Sequence, residues 1–219
     1  MLIRELIQQR LDSSLKVFNR EGIQIPDSQL KTEYQTIRQY LLDFHAKYPE
    51  CVAIKQHKDY RYFLTILACM EIGIPYIPMK YDYPMDRVGQ IQEDSKFTLL
   101  IDDSKMEEIL TYKQKVNSEL PELSPDQDMY IIFTSGSTGR PKGVIIQRKA
   151  LENFSTFMKE SFPNVTDEDK LLQVAEFSFD QSVLDVALYL NRNLTLHFSN
   201  FENNIFKLGF EIETHRISV

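Results

Sequence analysis

The chain contains no tryptophan, two cysteines and four histidines among its 219 residues, which leaves little material for disulfides or metal clusters. Cys51 and Cys69 both stand among apolar residues, which indicates buried thiols and not a disulfide framework. The histidines and cysteines show no metal-ligand spacing, so we expect no metal site formed by protein ligands. No apolar run is long enough to cross a bilayer, and the charged N-terminal helix lacks a signal-peptide core. These absences predict a cytoplasmic protein without a membrane partner.

The chain also lacks an excess of positive charge. Acidic residues number 32 and basic residues 25, for a formal net charge of −7. Nonspecific nucleic-acid binding requires a basic surface, so the net charge argues against this function class. Hydrophobic residues make up 42% and charged residues 26%, which is typical of a globular protein. A chain of this length is expected to form one domain or two lobes of one domain.

Helix and strand patterns alternate from about Lys31 onward. Such alternation predicts βαβ units, and therefore an α/β fold with a mainly parallel sheet flanked by helices. The predicted strands are residues 51–55, 74–79, 97–101, 129–134, 144–146, 171–174 and 194–198. The predicted helices are residues 2–18, 32–46, 60–72, 85–93, 104–112, 148–161, 181–190 and 203–215. Two loops are expected, at residues 19–29 and 118–128.

The most informative segment is residues 130–144, Tyr-Ile-Ile-Phe-Thr-Ser-Gly-Ser-Thr-Gly-Arg-Pro-Lys-Gly-Val. An apolar run that predicts a buried strand leads into a loop of hydroxyls and glycines, at the strand end where open α/β sheets bind ligands. Hydroxyls, backbone amides and a lysine are the groups that a polyphosphate needs. The candidate residues are Thr134, Ser135, Gly136, Ser137, Thr138, Gly139 and Lys142.

The spacing differs from a Walker A loop, because Lys142 is preceded by Pro141 and followed by Gly143. A loop rich in glycine, serine and threonine is often only a turn. The whole string, however, closely resembles the phosphate-binding signature of the adenylate-forming superfamily. This family includes acyl-CoA synthetases, luciferases, adenylation domains of non-ribosomal peptide synthetases, and D-alanine–carrier protein ligases. Further segments that fit its pattern extend the resemblance to residues 31–219.

A second segment, Phe-Ser-Phe-Asp-Gln-Ser-Val-Leu-Asp at residues 177–185, resembles a motif of the amino-acid-activating branch of that family. The resemblance implies that Asp180 pairs with the α-ammonium group of a substrate amino acid and that Phe179 lines the pocket. A buried ammonium group needs such a carboxylate. The alternatives are that Asp180 only caps the following helix and that Phe179 only packs in the core.

The resemblance implies ATP and Mg²⁺ as cofactors, an amino acid or other small carboxylic acid as substrate, and a phosphopantetheine carrier protein as partner. It also implies that residues 1–219 form only part of the N-terminal AMP-binding domain. The elements that bind adenine and ribose, and the small C-terminal domain with its catalytic lysine, have no counterpart here. Arg148 stands where family members often have histidine. We therefore expect the isolated chain to be incomplete for catalysis.

Three other interpretations stay open at the level of sequence. The chain could belong to a ligase for acids that lack an amino group, which would not need Asp180. It could be a non-catalytic remnant or interaction module that keeps the fold. It could also be an unrelated phosphate-binding α/β domain, although three family motifs occur in the expected order. Substrate-dependent pyrophosphate exchange by a completed enzyme separates the first of these from an amino-acid ligase.

Overall fold

A computed structural model describes residues 2–47, 50–113, 119–135, 140–201 and 204–219. The chain divides into two compact units, one made of Met1–Thr32 with Glu152–Val219 and the other of Glu33–Leu151. Each unit contains its own sheet flanked by helices, and most strand pairs are parallel. The α/β fold with a mainly parallel sheet, predicted from the sequence, is therefore confirmed.

The described residues form nine strands and eight helices. The strands are β1 (Lys16–Phe18), β2 (Gln24–Ile25), β3 (Val52–Lys55), β4 (Tyr76–Pro78), β5 (Leu99–Asp102), β6 (Asp128–Thr134), β7 (Lys142–Gln147), β8 (Lys170–Gln173) and β9 (Thr195–Phe198). The helices are α1 (Ile3–Asp12), α2 (Asp27–His45), α3 (Tyr60–Ile72), α4 (Met85–Ser95), α5 (Asp103–Leu110), α6 (Arg148–Ser161), α7 (Gln181–Asn191) and α8 (Ile205–His215).

In the unit Glu33–Leu151 the sheet has the strand order β5-β3-β4-β6-β7. The first four strands run parallel, and β7 pairs antiparallel with β6 at the edge. Helix α3 has the predicted bounds, and every residue in it except Arg61 is buried. Gly73 ends the helix with φ of 89°, and its N–H donates to the Cys69 carbonyl. Such left-handed backbone favours glycine, as the sequence predicted.

In the other unit the sheet order is β2-β1-β9-β8, with β1, β9 and β8 parallel. The predicted helix over residues 2–18 is wrong in its second half, because α1 ends at Asp12 and residues 16–18 form β1. The Ser13 hydroxyl bonds back to the Arg10 carbonyl, which competes with continuation of the helix. Val17 then pairs with Leu196 of β9 and is buried there. A contact with a distant strand therefore overrides the local pattern.

The predicted loop over residues 19–29 is also corrected, since it contains β2 and the start of α2. Helix α2 begins at Asp27, immediately after Pro26, whose carbonyl accepts from the N–H of Gln29 and of Leu30. The Asp27 carboxylate accepts from the backbone N–H of Leu15, so the helix start is tied to the segment before β1. This tie joins residues twelve positions apart, which residue type alone does not reveal.

Cys51 and Cys69 are buried free thiols, as predicted. Burial raises the pKa of both thiols, and the rise is larger for the fully enclosed Cys69. Both groups therefore stay protonated at neutral pH and behave as small apolar side chains. No helix in the described part of the chain has the length and apolar character needed to cross a membrane.

Candidate functional site

The candidate phosphate loop connects two paired strands. Thr134, the last residue of β6, lies opposite Lys142, the first residue of β7, and the Thr134 hydroxyl donates to the Lys142 carbonyl at 3.4 Å. Because β6 also runs parallel to β4, the loop leaves the carboxyl end of the parallel part of the sheet. This is the edge at which α/β sheets bind ligands. The sequence predicted the strand before the loop, but not the antiparallel hairpin that the loop closes.

The glycine after Lys142 has a packing role in this hairpin. A Cβ atom added at Gly143 would lie 3.0 Å from side-chain carbons of both Ile131 and Phe133. Any larger residue would push β7 away from β6 or displace these side chains. Gly143 therefore lets β7 pack closely against the Ile131 and Phe133 side chains of β6.

Three of the seven predicted phosphate-binding residues fall in the part of the chain that the structure describes. Thr134, Ser135 and Lys142 are exposed at the mouth of the hairpin. None of the described residues forms an ion pair with the Lys142 ammonium group, which leaves its charge available to a ligand. The other four candidates, Gly136, Ser137, Thr138 and Gly139, lie outside the described residues.

A charged residue of the same loop was not singled out from the sequence. The Arg140 guanidinium lies 2.6 Å from the Glu93 carboxylate and 3.9 Å from the Asp94 carboxylate, both in the last turn of α4. All three side chains are exposed. Arg140 stands in the loop motif, but nothing in the sequence indicates that residues 46 or 47 positions earlier are its partners.

Phe179 and Asp180 lie in the turn before α7, in the unit Met1–Thr32 with Glu152–Val219. Asp180 occupies the N-cap position, yet its side chain makes no capping hydrogen bond. The Ser182 hydroxyl instead donates to the Phe179 carbonyl at 2.7 Å and fixes the turn. The Phe179 side chain is 54% exposed. Neither of the structural alternatives from the sequence, a capping aspartate or a core phenylalanine, describes these two residues.

Two buried polar atoms occur in the segment that leads from β8 to Asp180. Gln173, at the carboxyl end of β8, is fully buried and its Oε1 has no hydrogen-bond partner in the described part of the chain. The hydroxyl of buried Ser178 likewise has no hydrogen-bond partner among the described residues. Buried polar atoms are normally satisfied, so such atoms mark a place for water or for a polar ligand group. Sequence reasoning missed both, since an isolated glutamine or serine carries no distinctive signal.

The predicted site residues belong to different units, because the hairpin lies in Glu33–Leu151 and Asp180 in the other. One cavity, of about 490 Å³, lies along the hairpin between Phe133 and Glu50, and another, of about 440 Å³, lies beside α6. None of the described candidate residues lines either cavity. Among the residues described, no group of three or more His, Cys, Asp or Glu side chains could hold a metal ion.

Arg148, for which the sequence resemblance suggested a histidine in other family members, is buried at the start of α6. Its guanidinium donates to the Leu123 carbonyl, and its backbone N–H donates to the Gln127 carbonyl at 2.8 Å. The arginine thus holds the segment that precedes β6. In this chain the position has a structural role in supporting the strand that carries the loop.

Comparison with known proteins places the chain in one family. The family description "AMP-binding enzyme" matches residues 16–219. A dimodular nonribosomal peptide synthase from Bacillus subtilis is 32% identical over 190 residues, covering 78% of this chain and 8% of that protein. A D-alanine--D-alanyl carrier protein ligase from Bacillus cereus is 30% identical over 174 residues, covering 72% of this chain and 34% of that protein.

The fold comparison agrees with the sequence comparison. The NpsA N-terminal subdomain from Klebsiella oxytoca, solved in complex with 3-hydroxyanthranilyl-AMSN, superposes with a TM-score of 0.81 at 23% identity. The superposition covers 99% of this chain and 57% of that chain. The chain spans at most about a third of the length of the two curated relatives. It belongs to the AMP-binding enzyme family, and its fold is that of an N-terminal adenylation subdomain.

Proposed function

We propose that this chain is the N-terminal portion of an ATP-dependent ligase that activates an amino acid as its adenylate. In the complete enzyme the amino-acid carboxylate attacks the α-phosphorus of ATP, and pyrophosphate leaves. Residues 1–219 then form part of the AMP-binding domain, and the family resemblance implies that a C-terminal domain supplies the catalytic lysine. The 219 residues contribute binding and orientation, which account for a large share of such barriers.

The observation that supports the amino-acid assignment is that the Asp180 side chain is exposed and makes no cap or ion pair with described residues. Its carboxylate is exposed and has no hydrogen bond or ion pair to any described residue, although it stands at a helix start where a cap is favoured. An aspartate that neither caps nor pairs is available to a ligand. The α-ammonium group of an amino acid supplies the opposite charge, and the exposed Phe179 beside it supplies an apolar wall. An acid without an amino group would leave this carboxylate unpaired.

The donor set of the hairpin supports the ATP assignment. The hydroxyls of Thr134 and Ser135 and the ammonium group of Lys142 stand exposed around the ends of β6 and β7. With the four loop residues outside the described ranges, they would bind the β- and γ-phosphates through hydroxyls, backbone amides and one cation. Mg²⁺ would be held largely by the phosphate oxygens, as is common for nucleotide-bound magnesium.

The names of the relatives support a carrier protein as the partner that receives the product. The matched Bacillus cereus protein is named as a ligase that acts on a D-alanyl carrier protein, and the matched Bacillus subtilis protein is a peptide synthase. By this analogy the aminoacyl group would pass from the adenylate to the phosphopantetheine thiol of a carrier. Small carboxylic acids, and amino acids in particular, are the substrate class.

Binding of ATP and of pyrophosphate to the purified chain tests the phosphate half of this proposal. Lys142→Ala should weaken both affinities by roughly 1.5–3 kcal/mol, the cost of one charge-assisted contact. Lys149→Ala is the matched control, because Lys149 is exposed in the same unit but pairs with Asp126. Isothermal titration calorimetry supplies the affinities and circular dichroism checks the fold. Equal affinities for the wild type and the folded Lys142→Ala variant would exclude the loop as a phosphate site.

A further inference from the structure

Arg140 is a second cation of the phosphate loop, and two carboxylates of α4 hold it. Its guanidinium lies 2.6 Å from Glu93 and 3.9 Å from Asp94. Only Pro141, which is buried, separates Arg140 from Lys142. Two positive charges therefore stand at the same end of the loop, but only the ammonium group of Lys142 is without an ion pair among the described residues.

The charges at the end of α4 explain why Arg140 is drawn there. The last turn of this helix contains Glu93 and Asp94 and no basic residue. Carboxylates at a helix C-terminus are unfavourable, because the negative end of the helix dipole lies there, and a cation relieves this repulsion. Arg140 provides that cation from outside the helix.

The same pair is weak enough to exchange. Arg140, Glu93 and Asp94 are all exposed to water, and ion pairs of this kind contribute little net stability because solvent screens them. A polyphosphate carries more negative charge than a carboxylate, and a guanidinium binds phosphate through two parallel hydrogen bonds. A phosphate bound at the loop is thus a stronger partner for Arg140 than either carboxylate.

We propose that Arg140 is a phosphate-binding residue and that Glu93 and Asp94 oppose its engagement by competing for the guanidinium. This inference rests on the proposed function, because it assumes a polyphosphate at the loop. The acidic pair on α4 then lowers the affinity of the loop for ATP and raises its selectivity for ligands with enough charge to displace it. Arg140 exchanges partners when the nucleotide binds, and Glu93 and Asp94 lose their ion pair with the guanidinium.

A double-mutant cycle on ATP and pyrophosphate binding tests the competition. Glu93→Gln with Asp94→Asn should tighten binding about two- to fivefold, the range expected for releasing exposed ion pairs. Arg140→Ala alone should weaken binding. In the Arg140→Ala background the two amide substitutions should have no effect, because no guanidinium is left to release. Calorimetry on the full chain at low and moderate salt supplies each affinity.

The control removes the same charge elsewhere. Asp82→Asn with Asp86→Asn neutralises two exposed carboxylates just before and within the first turn of α4, and it should leave the affinity unchanged once circular dichroism shows that the helix is intact. Equal tightening by the amide substitutions in the wild-type and Arg140→Ala backgrounds would identify a general field effect and overturn the inference. Weaker binding after loss of the acidic pair would show instead that the pair positions the loop, which also overturns it.

The outcomes separate the two proposals. If the wild type binds ATP, Lys142→Ala weakens binding and the acidic pair has no influence, the phosphate loop stands and the role of Arg140 is wrong. If the wild type binds neither ATP nor pyrophosphate, the loop assignment fails and the inference about Arg140 fails with it.

Discussion

The imidazole of His197 stacks on the ring of Phe18, with a centroid separation of 4.2 Å and an angle of 7° between the planes. The two residues are register partners on the parallel strands β1 and β9. His197 is buried, and neither of its ring nitrogens has a hydrogen-bond partner in the part of the chain that the structure describes. His215 of α8 covers it at 5.0 Å between ring centroids, and Lys170 lies on the neighbouring strand β8.

This arrangement predicts a loss of stability in mild acid. Burial, and then the nearby charges of His215 and Lys170, lower the pKa of His197 to about 4. Above pH 6.5 the His197 imidazole is neutral in both the folded and the unfolded protein. Between pH 6.5 and 4 it takes up a proton only in the unfolded protein. The free energy of unfolding should therefore fall by roughly 2–3 kcal/mol between pH 7 and pH 4 through this group. Urea denaturation across that range measures the fall.

His197→Phe keeps an aromatic ring against Phe18 and removes the titrating group. We expect a shallower pH dependence of the free energy of unfolding in this variant. A wild-type slope in His197→Phe would show that other groups cause the acid sensitivity.

Two substitutions at Asp180 separate a substrate role from a local structural one. In an enzyme completed with the rest of an adenylation domain, Asp180→Ala and Asp180→Asn should both reduce amino-acid-dependent pyrophosphate exchange by at least about 100-fold. If the completed site encloses the substrate ammonium group, loss of its carboxylate partner costs about 3–5 kcal/mol, and the amide does not replace that charge. Exchange with each variant is the measurement. Full activity in Asp180→Asn would contradict the ammonium-binding role.

Helix α8 exposes an apolar face that should promote association. No residue of this helix is buried, and Phe206 and Phe210 are 87% and 68% exposed. Exposed apolar patches of this kind favour self-association. Phe206→Ser with Phe210→Ser should weaken concentration-dependent association by about 100-fold or more, because burying each ring contributes about 1.5–3 kcal/mol and every 1.4 kcal/mol is tenfold. Analytical ultracentrifugation gives the dissociation constants.

Phe157 on α6 provides the comparison, because it is 59% exposed in the same unit. Phe157→Ser should leave the association unchanged if α8 is responsible. An identical sedimentation profile for wild type and the α8 variant at all concentrations would contradict the prediction.

The 219-residue chain by itself should not form an acyl-adenylate. It contains the candidate phosphate loop and Asp180 and covers 34% of the matched Bacillus cereus ligase, and the family resemblance implies further elements for adenine, ribose and the catalytic lysine. Without them the α-phosphate is not held in line with the attacking carboxylate, and orientation contributes up to ~7–11 kcal/mol to such reactions. Pyrophosphate exchange with the twenty amino acids is the test. Robust exchange with any of them would refute this prediction.

The sequence was sufficient where a signal is local or where a whole motif is present. Helix α3 and its glycine cap follow from a segment that is apolar nearly all round and ends at Gly73, since both the helix and its end depend on neighbouring residues. The family resemblance followed from the motif at residues 130–144 and from the second motif, at residues 177–185, which follows it in the order expected for the family. These features need no knowledge of which strand lies beside which.

The tertiary structure decided the features that depend on distant partners. Residues 16–18 form a strand because β9 lies beside them, and the local pattern indicated a helix. The loop closes an antiparallel hairpin because β7 pairs with β6. Arg140 meets Glu93, and the Asp180 side chain leaves its helix uncapped, through geometry that residue type does not specify. Backbone propensities amount to a few tenths of a kcal/mol per residue, whereas burial and pairing with another element contribute more, so long-range contacts prevail wherever the two disagree.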